Sequence, residues 1–164
     1  MFSNLSPFTK LHVVISLIGI VSGLVVMFGL LAEQKLNRWT ALFLISTVAT
    51  SVTGFFFPFH GVTPAIVVGI ISLVLLAVAI VARYARHLAG SWRWIYVVTA
   101  MISLYLNVFV LVVQLFQKVP ALKALAPTQS EPPFAVTQLV VLALFVLLTI
   151  VAVIKFRGEQ LRRA

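Results

Sequence analysis

Five long apolar stretches, separated by short polar connections, constrain this chain more than any other feature. Each has the roughly 20 residues that an α-helix needs to cross a hydrocarbon core of about 30 Å. None of them contains Lys, Arg, Asp or Glu. The stretches cover residues 11–32, 39–57, 63–81, 94–116 and 135–154. They predict an all-α membrane bundle of five transmembrane helices, with residues 1–164 forming a single domain.

The composition excludes a water-soluble surface. Hydrophobic residues make up 62% of the 164 residues, charged residues make up only 9%, and Asp is absent. The chain has no cysteine, which excludes disulfides, thiol catalysis and cysteine-ligated metals. The first stretch has 22 residues. Since a signal-peptide core has about 7 to 15, we expect this stretch to be a retained span.

Lysine and arginine are distributed unevenly between the two faces that five spans create. One face carries three of them: Lys10, Lys118 and Lys123. The other carries nine: Lys35, Arg38, Arg83, Arg86, Arg93, Lys155, Arg157, Arg162 and Arg163. Because cytoplasmic segments retain positive residues, this split predicts the N-terminus outside and the C-terminus in the cytoplasm. The net charge of +9 then indicates contact with membrane lipid and no nucleic-acid partner, since the basic residues are split among short segments that flank the spans.

Small side chains mark where the helices are expected to meet. In the first stretch, Ser16, Gly19 and Gly23 share a helical face with a GxxxG spacing, which allows close approach of two helix backbones. Thr50 and Gly54 form a similar face in the second stretch. We interpret these five residues as helix-packing positions within one chain. The same spacing also serves homodimers, so a second copy and other membrane subunits stay open as partners.

The fourth stretch is the most polar, and its polar side chains are ordered. Tyr96, Ser103, Asn107 and Gln114 recur at spacings of 7, 4 and 7, which keep them on one helical face. An unpaired amide near the membrane midplane is costly, so this face is expected to turn inward. Gln138 of the fifth stretch lies at a depth similar to that of Gln114. Two interpretations follow: an interhelical amide pair, or a ligand-binding site made of Gln114, Gln138, Asn107 and Ser103.

Two histidines emerge on the predicted outer side. His12 opens the first stretch, His60 follows the second, and Glu131 is the only acid on that side. Two imidazoles and a carboxylate are ligands for a divalent metal, and two imidazoles alone are ligands for haem. No local ligand signature accompanies these residues, and histidines at helix ends typically cap the helix or face solvent. The cofactor is therefore unknown, with haem and a divalent metal as the alternatives.

The longest connection, QKVPALKALAPTQSEPPF, precedes the fifth stretch. Pro120 is expected to start a short interfacial helix. Ser130 is expected to be the N-cap of the fifth span, with Glu131 next to the positive end of the helix dipole. The alternative is that this connection forms a lid over an outer pocket.

The stretch HLAGSWRWIYVVTAMISLYLNVFVLVVQLF, together with ALAPTQSEPPF, resembles a group of small bacterial inner-membrane proteins with no assigned function. The resemblance runs over most of the chain. It implies a multi-pass protein of the bacterial inner membrane, and it brings no active-site residues.

Three classes of function are consistent with these residues. The favoured class is a non-enzymatic integral membrane protein that either binds an apolar ligand or serves as an accessory subunit of a larger membrane complex, because no catalytic constellation is visible. A haem- or metal-binding redox protein that uses His12 and His60 is the second. A transporter of an uncharged solute is the third, since the charged groups that commonly mark ion pathways are missing from the spans.

Overall fold

The structure, a computed structural model, describes residues 6–58 and 64–161, with side chains described as far as Phe156. Within these ranges the chain is helical and has no strand, which confirms the all-α prediction. The helices are α1 (Pro7–Leu31), α2 (Asn37–Gly54), α3 (Pro64–Ile80), α4 (Trp92–Lys118), α5 (Pro120–Leu125) and α6 (Pro132–Leu161). A π-helical turn, Val81–Ala85, extends α3.

Four of these helices are long and apolar enough to cross a membrane, which is the architecture of a multi-pass membrane protein. They are Pro7–Leu31, Pro64–Ala85, Trp92–Lys118 and Pro132–Phe156. α2 coincides with the second apolar stretch of the sequence but is less apolar than the other four. Its 18 residues include six Ser or Thr side chains. At 1.5 Å per residue it is about 27 Å long.

α4 lies at the centre of the bundle, because α1, α3, α5 and α6 all pack against it. α1 also packs against α2 and α6, and α2 packs against α3. The core consists of buried apolar side chains from all five long helices, including Met27, Phe43, Leu76, Val97, Met101, Leu104, Phe145 and Phe156. Many Val, Leu and Ile side chains of α3 and α6 face outward. In a bilayer this outward apolar surface is solvated by lipid.

Glycine sets the distance between α1 and its neighbours. A Cβ atom placed on Gly23 would lie 2.5 Å from Leu104 Cδ1 and 2.9 Å from two ring carbons of Phe43. α1 therefore approaches α4 and α2 at a separation that only glycine permits. In this way the GxxxG face of α1 is used for packing inside one chain.

The two ends of the bundle differ in the side chains that connect the helices there. Arg83 of the turn after α3 donates a hydrogen bond to the backbone oxygen of Lys35, which precedes α2. We call this the basic end; its described basic side chains are Lys35, Arg38, Arg83, Arg86, Arg93 and Lys155. At the opposite end, His12 near the start of α1 contacts Thr53 near the end of α2.

The connection before α6 confirms one prediction and corrects another. α5 begins at Pro120, as predicted, and its neighbour Ala126 is buried against Val112 and Phe116 of α4. Ser130 is not the N-cap of α6, because α6 begins at Pro132 and the first backbone oxygen to accept intrahelical hydrogen bonds belongs to Glu131. The two consecutive prolines lack N–H donors and fit the first turn, which moves the cap one residue later than predicted.

Candidate functional site

A buried polar contact joins α2 and α4 beside α1. Asn107 Nδ2 donates a hydrogen bond to Thr47 Oγ1 over 3.2 Å, and Thr47 is fully buried. A Cβ atom on Gly19 would lie 3.2 Å from Thr47 Oγ1, 3.3 Å from Ser46 Oγ and 3.6 Å from Asn107 Nδ2. Three helices thus meet at one polar point, and Asn107 turns inward, where its amide has a partner.

Ser103, one turn before Asn107, is satisfied by its own helix. Its hydroxyl donates to the backbone oxygen of Thr99 over 2.8 Å, and the side chain is fully buried. The hydrogen bond to Thr99 gives Ser103 a structural role without any ligand. Thr50 differs, because its Oγ1 is buried and has no hydrogen-bond partner.

Gln114 and Gln138 do not form the predicted amide pair. Gln138 Nε2 donates to the backbone oxygen of Phe109 over 3.3 Å. Gln114 Oε1 and Gln138 Oε1 are both buried and accept no hydrogen bond. Gln138 therefore ties α6 to the backbone of α4. The two carboxamide oxygens are left as unpaired acceptors, and each can take a donor from water or a ligand.

His12 is anchored between α1 and the end of α2. Its Nδ1 shares a hydrogen bond of 2.8 Å with Thr53 Oγ1, and the Thr53 hydroxyl also donates to the backbone oxygen of Ala49 over 2.7 Å. The ring of Phe57 packs edge-on against the imidazole at 5.0 Å between centroids. Gly54 leaves room beneath the ring, since a Cβ there would lie 3.8 Å from His12 Cε1. Only Nε2 is left for a second partner.

Ser16 and Glu131, the remaining predicted residues, also bond locally. Ser16 Oγ donates to the backbone oxygen of His12 over 2.7 Å. Glu131 Oε1 accepts hydrogen bonds from the backbone N–H and the hydroxyl of Thr128, and Oε2 accepts one from Ser130 N–H. Desolvation raises the pKa of Glu131, but these hydrogen bonds outweigh it and hold the pKa below its ordinary value.

The metal or haem site predicted from His12, His60 and Glu131 stays a prediction, because His60 lies outside the described residues. Among the residues that are described, His, Asp and Glu form no group of three that could hold a metal ion. His12 and Glu131 each use at least one polar atom to fasten their own loop or helix.

An apolar groove along α2, bounded by the end of α3, was not predicted from the sequence. Its volume is about 600 Å³. It is lined by Ala41, Leu44, Ile45, Val48, Ala49, Val52, Ile80 and Tyr84. α2 and α3 touch at both ends of the groove: a Cβ on Gly69 would lie 3.1 Å from the Phe55 ring, and Arg83 bonds the start of α2. Six of the eight lining residues belong to α2, and the other two, Ile80 and Tyr84, lie at the end of α3 and in the π-helical turn that follows it.

Arg83 lies next to the basic end of this groove. The side chain is only 8% exposed, and its Nη2 donates to Lys35 O over 2.8 Å and to Asn37 Oδ1 over 2.6 Å. The guanidinium carbon lies 5.9 Å from the centre of the Tyr84 ring and 5.2 Å from that of Tyr96. These cation–π contacts hold the charge between two aromatic rings, one of which lines the groove.

The described side chains of the basic end carry an excess of positive charge, with six Lys and Arg residues and one acid, Glu33. The two acceptors that Arg83 Nη2 uses are neutral. Arg86 packs over the Trp92 ring at 5.2 Å from its centroid. No protein-family model, curated protein or solved structure matches this chain, so the site is interpreted from its own residues.

Proposed function

We propose that this chain is a non-enzymatic integral protein of the bacterial inner membrane that binds the acyl chain of a membrane lipid in the groove between α2 and α3. The groove itself is the observation that carries the proposal. Its volume of about 600 Å³ falls within the range of about 300 to 1,000 Å³ typical of small-molecule sites. Apart from the Tyr84 hydroxyl, its lining side chains are hydrocarbon.

The length of the groove favours a single acyl chain. Its lining on α2 runs from Ala41 to Val52, which spans about 16 Å at 1.5 Å per residue. Half of a hydrocarbon core of about 30 Å is about 15 Å. The groove therefore has about the length of one leaflet; it begins about one turn into α2 from the basic end and extends past the middle of the helix.

The groove can hold a membrane lipid only if α2 also crosses the membrane, in addition to the four longer apolar helices. Four of its six hydroxyl residues, Thr40, Ser46, Thr47 and Ser51, are buried inside the bundle. Ser46 and Thr53 donate to backbone oxygens of their own helix, so lipid meets few free polar groups. The outward positions include Ile45 and Val52. The low hydropathy of α2 thus arises from its inward face.

The orientation follows from charge. With five spans, nine Lys and Arg residues fall on the side of the basic end and three on the opposite side. The positive-inside rule then places the basic end in the cytoplasm and the N-terminus outside. The end of the groove at Tyr84 accordingly lies near the cytoplasmic face of the membrane.

Filling the groove tests the proposed function. We expect Ala49→Trp to reduce strongly the phospholipid retained by the detergent-purified protein, because the indole occupies the space of the acyl chain. Ala143→Trp is the matched control, since Ala143 faces outward on α6, away from the groove. Retained lipid is measured by mass spectrometry after extensive detergent washing. Equal retention by wild type, Ala49→Trp and Ala143→Trp would refute a groove-bound lipid.

The accessory-subunit, redox and solute-transport interpretations stay predictions. No contact among the described residues favours one of them over another. The groove favours lipid binding over these three interpretations, because its lining is apolar, its length along α2 is about 16 Å and the buried Arg83 lies next to one end.

A further inference from the structure

We propose that the lipid in the groove is an anionic phospholipid, with its phosphate held at the basic end by Arg38 and Arg83 beside Tyr84. This inference rests on the proposed function, since it names the headgroup of the lipid whose chain fills the groove. An anionic phospholipid has an apolar chain, which matches the groove, and a phosphate, which matches the basic end.

Arg83 supplies a buried positive charge whose two hydrogen-bond acceptors are neutral. A guanidinium has five N–H donors, and Arg83 Nη2 meets two neutral oxygens, those of Lys35 and Asn37. Its side chain is only 8% exposed. Burying a charge is costly, and a phosphate within a few ångströms offsets part of that cost.

Tyr84 connects this charge to the groove. Its ring lies 5.9 Å from the Arg83 guanidinium carbon and also lines the groove. The π-helical turn places both residues at this point, where Arg86 N–H donates to Val81 O over 2.9 Å. The groove therefore ends at Tyr84, whose ring contacts the buried Arg83 guanidinium.

Arg38 supplies the accessible charge. It precedes the groove-lining residues Ala41 and Ile45 by three and seven residues, which places it on the same face of α2, one turn closer to the basic end. Its side chain is exposed. A guanidinium fork binds two phosphate oxygens at once, so Arg38 is suited to hold a headgroup where the hydrocarbon ends.

The arrangement discriminates between headgroups. Phosphatidylglycerol presents a net negative charge to Arg38 and Arg83. Phosphatidylcholine carries a quaternary ammonium next to its phosphate and is neutral overall. The excess of positive charge at this end therefore favours the anionic lipid, and the preference is expected to weaken with salt.

The test measures binding of single phospholipids to the delipidated full-length protein in a neutral detergent by native mass spectrometry. We expect wild type to bind phosphatidylglycerol more tightly than phosphatidylcholine. Arg38→Gln should lower the affinity for phosphatidylglycerol about fivefold, which corresponds to about 1 kcal/mol for one basic residue near a lipid headgroup, and should lower the affinity for phosphatidylcholine less, because the choline ammonium offsets the charge of its phosphate. Lys118→Gln, at the opposite end, is the charge-matched control and should change neither affinity.

The outcomes separate the two proposals. Equal affinities for the two lipids, or no effect of Arg38→Gln, would overturn the headgroup assignment. In that case, loss of binding of both lipids by Ala49→Trp would still support the groove as the lipid site. Unchanged binding of both lipids to Ala49→Trp would overturn the proposed function itself. Inorganic phosphate alone should bind the delipidated protein far more weakly than phosphatidylglycerol, because it has no acyl chain to occupy the groove. Equal or tighter binding of inorganic phosphate would assign the cations to free phosphate and overturn the lipid as their occupant.

Discussion

Asn107 shows how one residue decides the packing of three helices. Its amide donates to Thr47 Oγ1, and Gly19 allows α1 to lie against the same point. An amide in hydrocarbon without a partner costs several kcal/mol, so this contact also sets the rotation of α4. Asn107, a polar residue in the middle of a span, therefore helps to determine which faces of the helices pack together.

At this scale we predict that Asn107→Leu lowers the stability of the protein in detergent by about 1 kcal/mol, because Thr47 Oγ1 loses its donor. Thermal unfolding of wild type, Asn107→Leu, Thr47→Val and the double variant gives the coupling between the two side chains. Ile102→Leu, an exposed change on the same helix, is the control. Additive effects of the two single changes would contradict an energetic contact between Asn107 and Thr47.

Among the helices, α6 shows how a loop side chain stabilises a helix start. Glu131 turns its carboxylate back toward the loop, where Thr128 and Ser130 donate to it, while its backbone oxygen accepts the first hydrogen bonds of α6. The lowered pKa of Glu131 means that the ionised form is the one the fold stabilises. Its contribution is therefore complete above the ordinary pKa of the carboxyl group and is lost as pH falls through the lower folded value.

For this element we predict that Glu131→Gln reduces hydrogen-exchange protection of the Thr128 and Ser130 amides at neutral pH. The difference between wild type and Glu131→Gln should shrink at a pH below the folded pKa, because the wild-type carboxyl is then protonated too. Comparing the two proteins at the same pH cancels the intrinsic pH dependence of exchange. Identical protection at neutral pH would show that the carboxylate does not hold this turn.

On the scale of the whole molecule, the bundle separates charge and hydrocarbon. The basic end gathers the loops after α1 and α3, and the outward faces of α3 and α6 are apolar. α2 carries its hydroxyl groups inward and leaves an apolar groove outward. The lipid proposal depends on this arrangement, since the groove faces the lipid of the bilayer only if α2 crosses the membrane.

The corresponding prediction concerns topology. Alkaline phosphatase fused after residue 58 or within residues 124–130 should be active, and the enzyme fused after Gln34 or after Ala164 should be inactive, because only the first pair lies outside. A green fluorescent protein fusion at Ala164 should be fluorescent. The same activity after Gln34 and after residue 58 would show that α2 does not cross the membrane.

Sequence reasoning located the helices well, and it did not point to the groove. Span positions follow from local hydropathy, so the starts of α1 and α4 differ from the predicted ones by only a few residues, and α5 begins at Pro120 as predicted. The proposed pairing of Gln114 with Gln138 failed as a hydrogen bond because equal depth does not fix how two helices rotate toward each other. The groove and the charge of Arg83 beside Tyr84 left only a weak signal, the spacing of Arg38, Ala41 and Ile45 on one face of α2.

By itself, the sequence determined that this chain is helical and built for a membrane, because the length and hydropathy of each span are properties of neighbouring residues. It also determined which residues carry charge, and hence the expected orientation. Only the tertiary structure decided that α2 and α3 part to form a groove and that a buried arginine contacts a tyrosine at its end. Those features depend on the spacing and rotation of helices, which arise from packing between residues far apart in the chain.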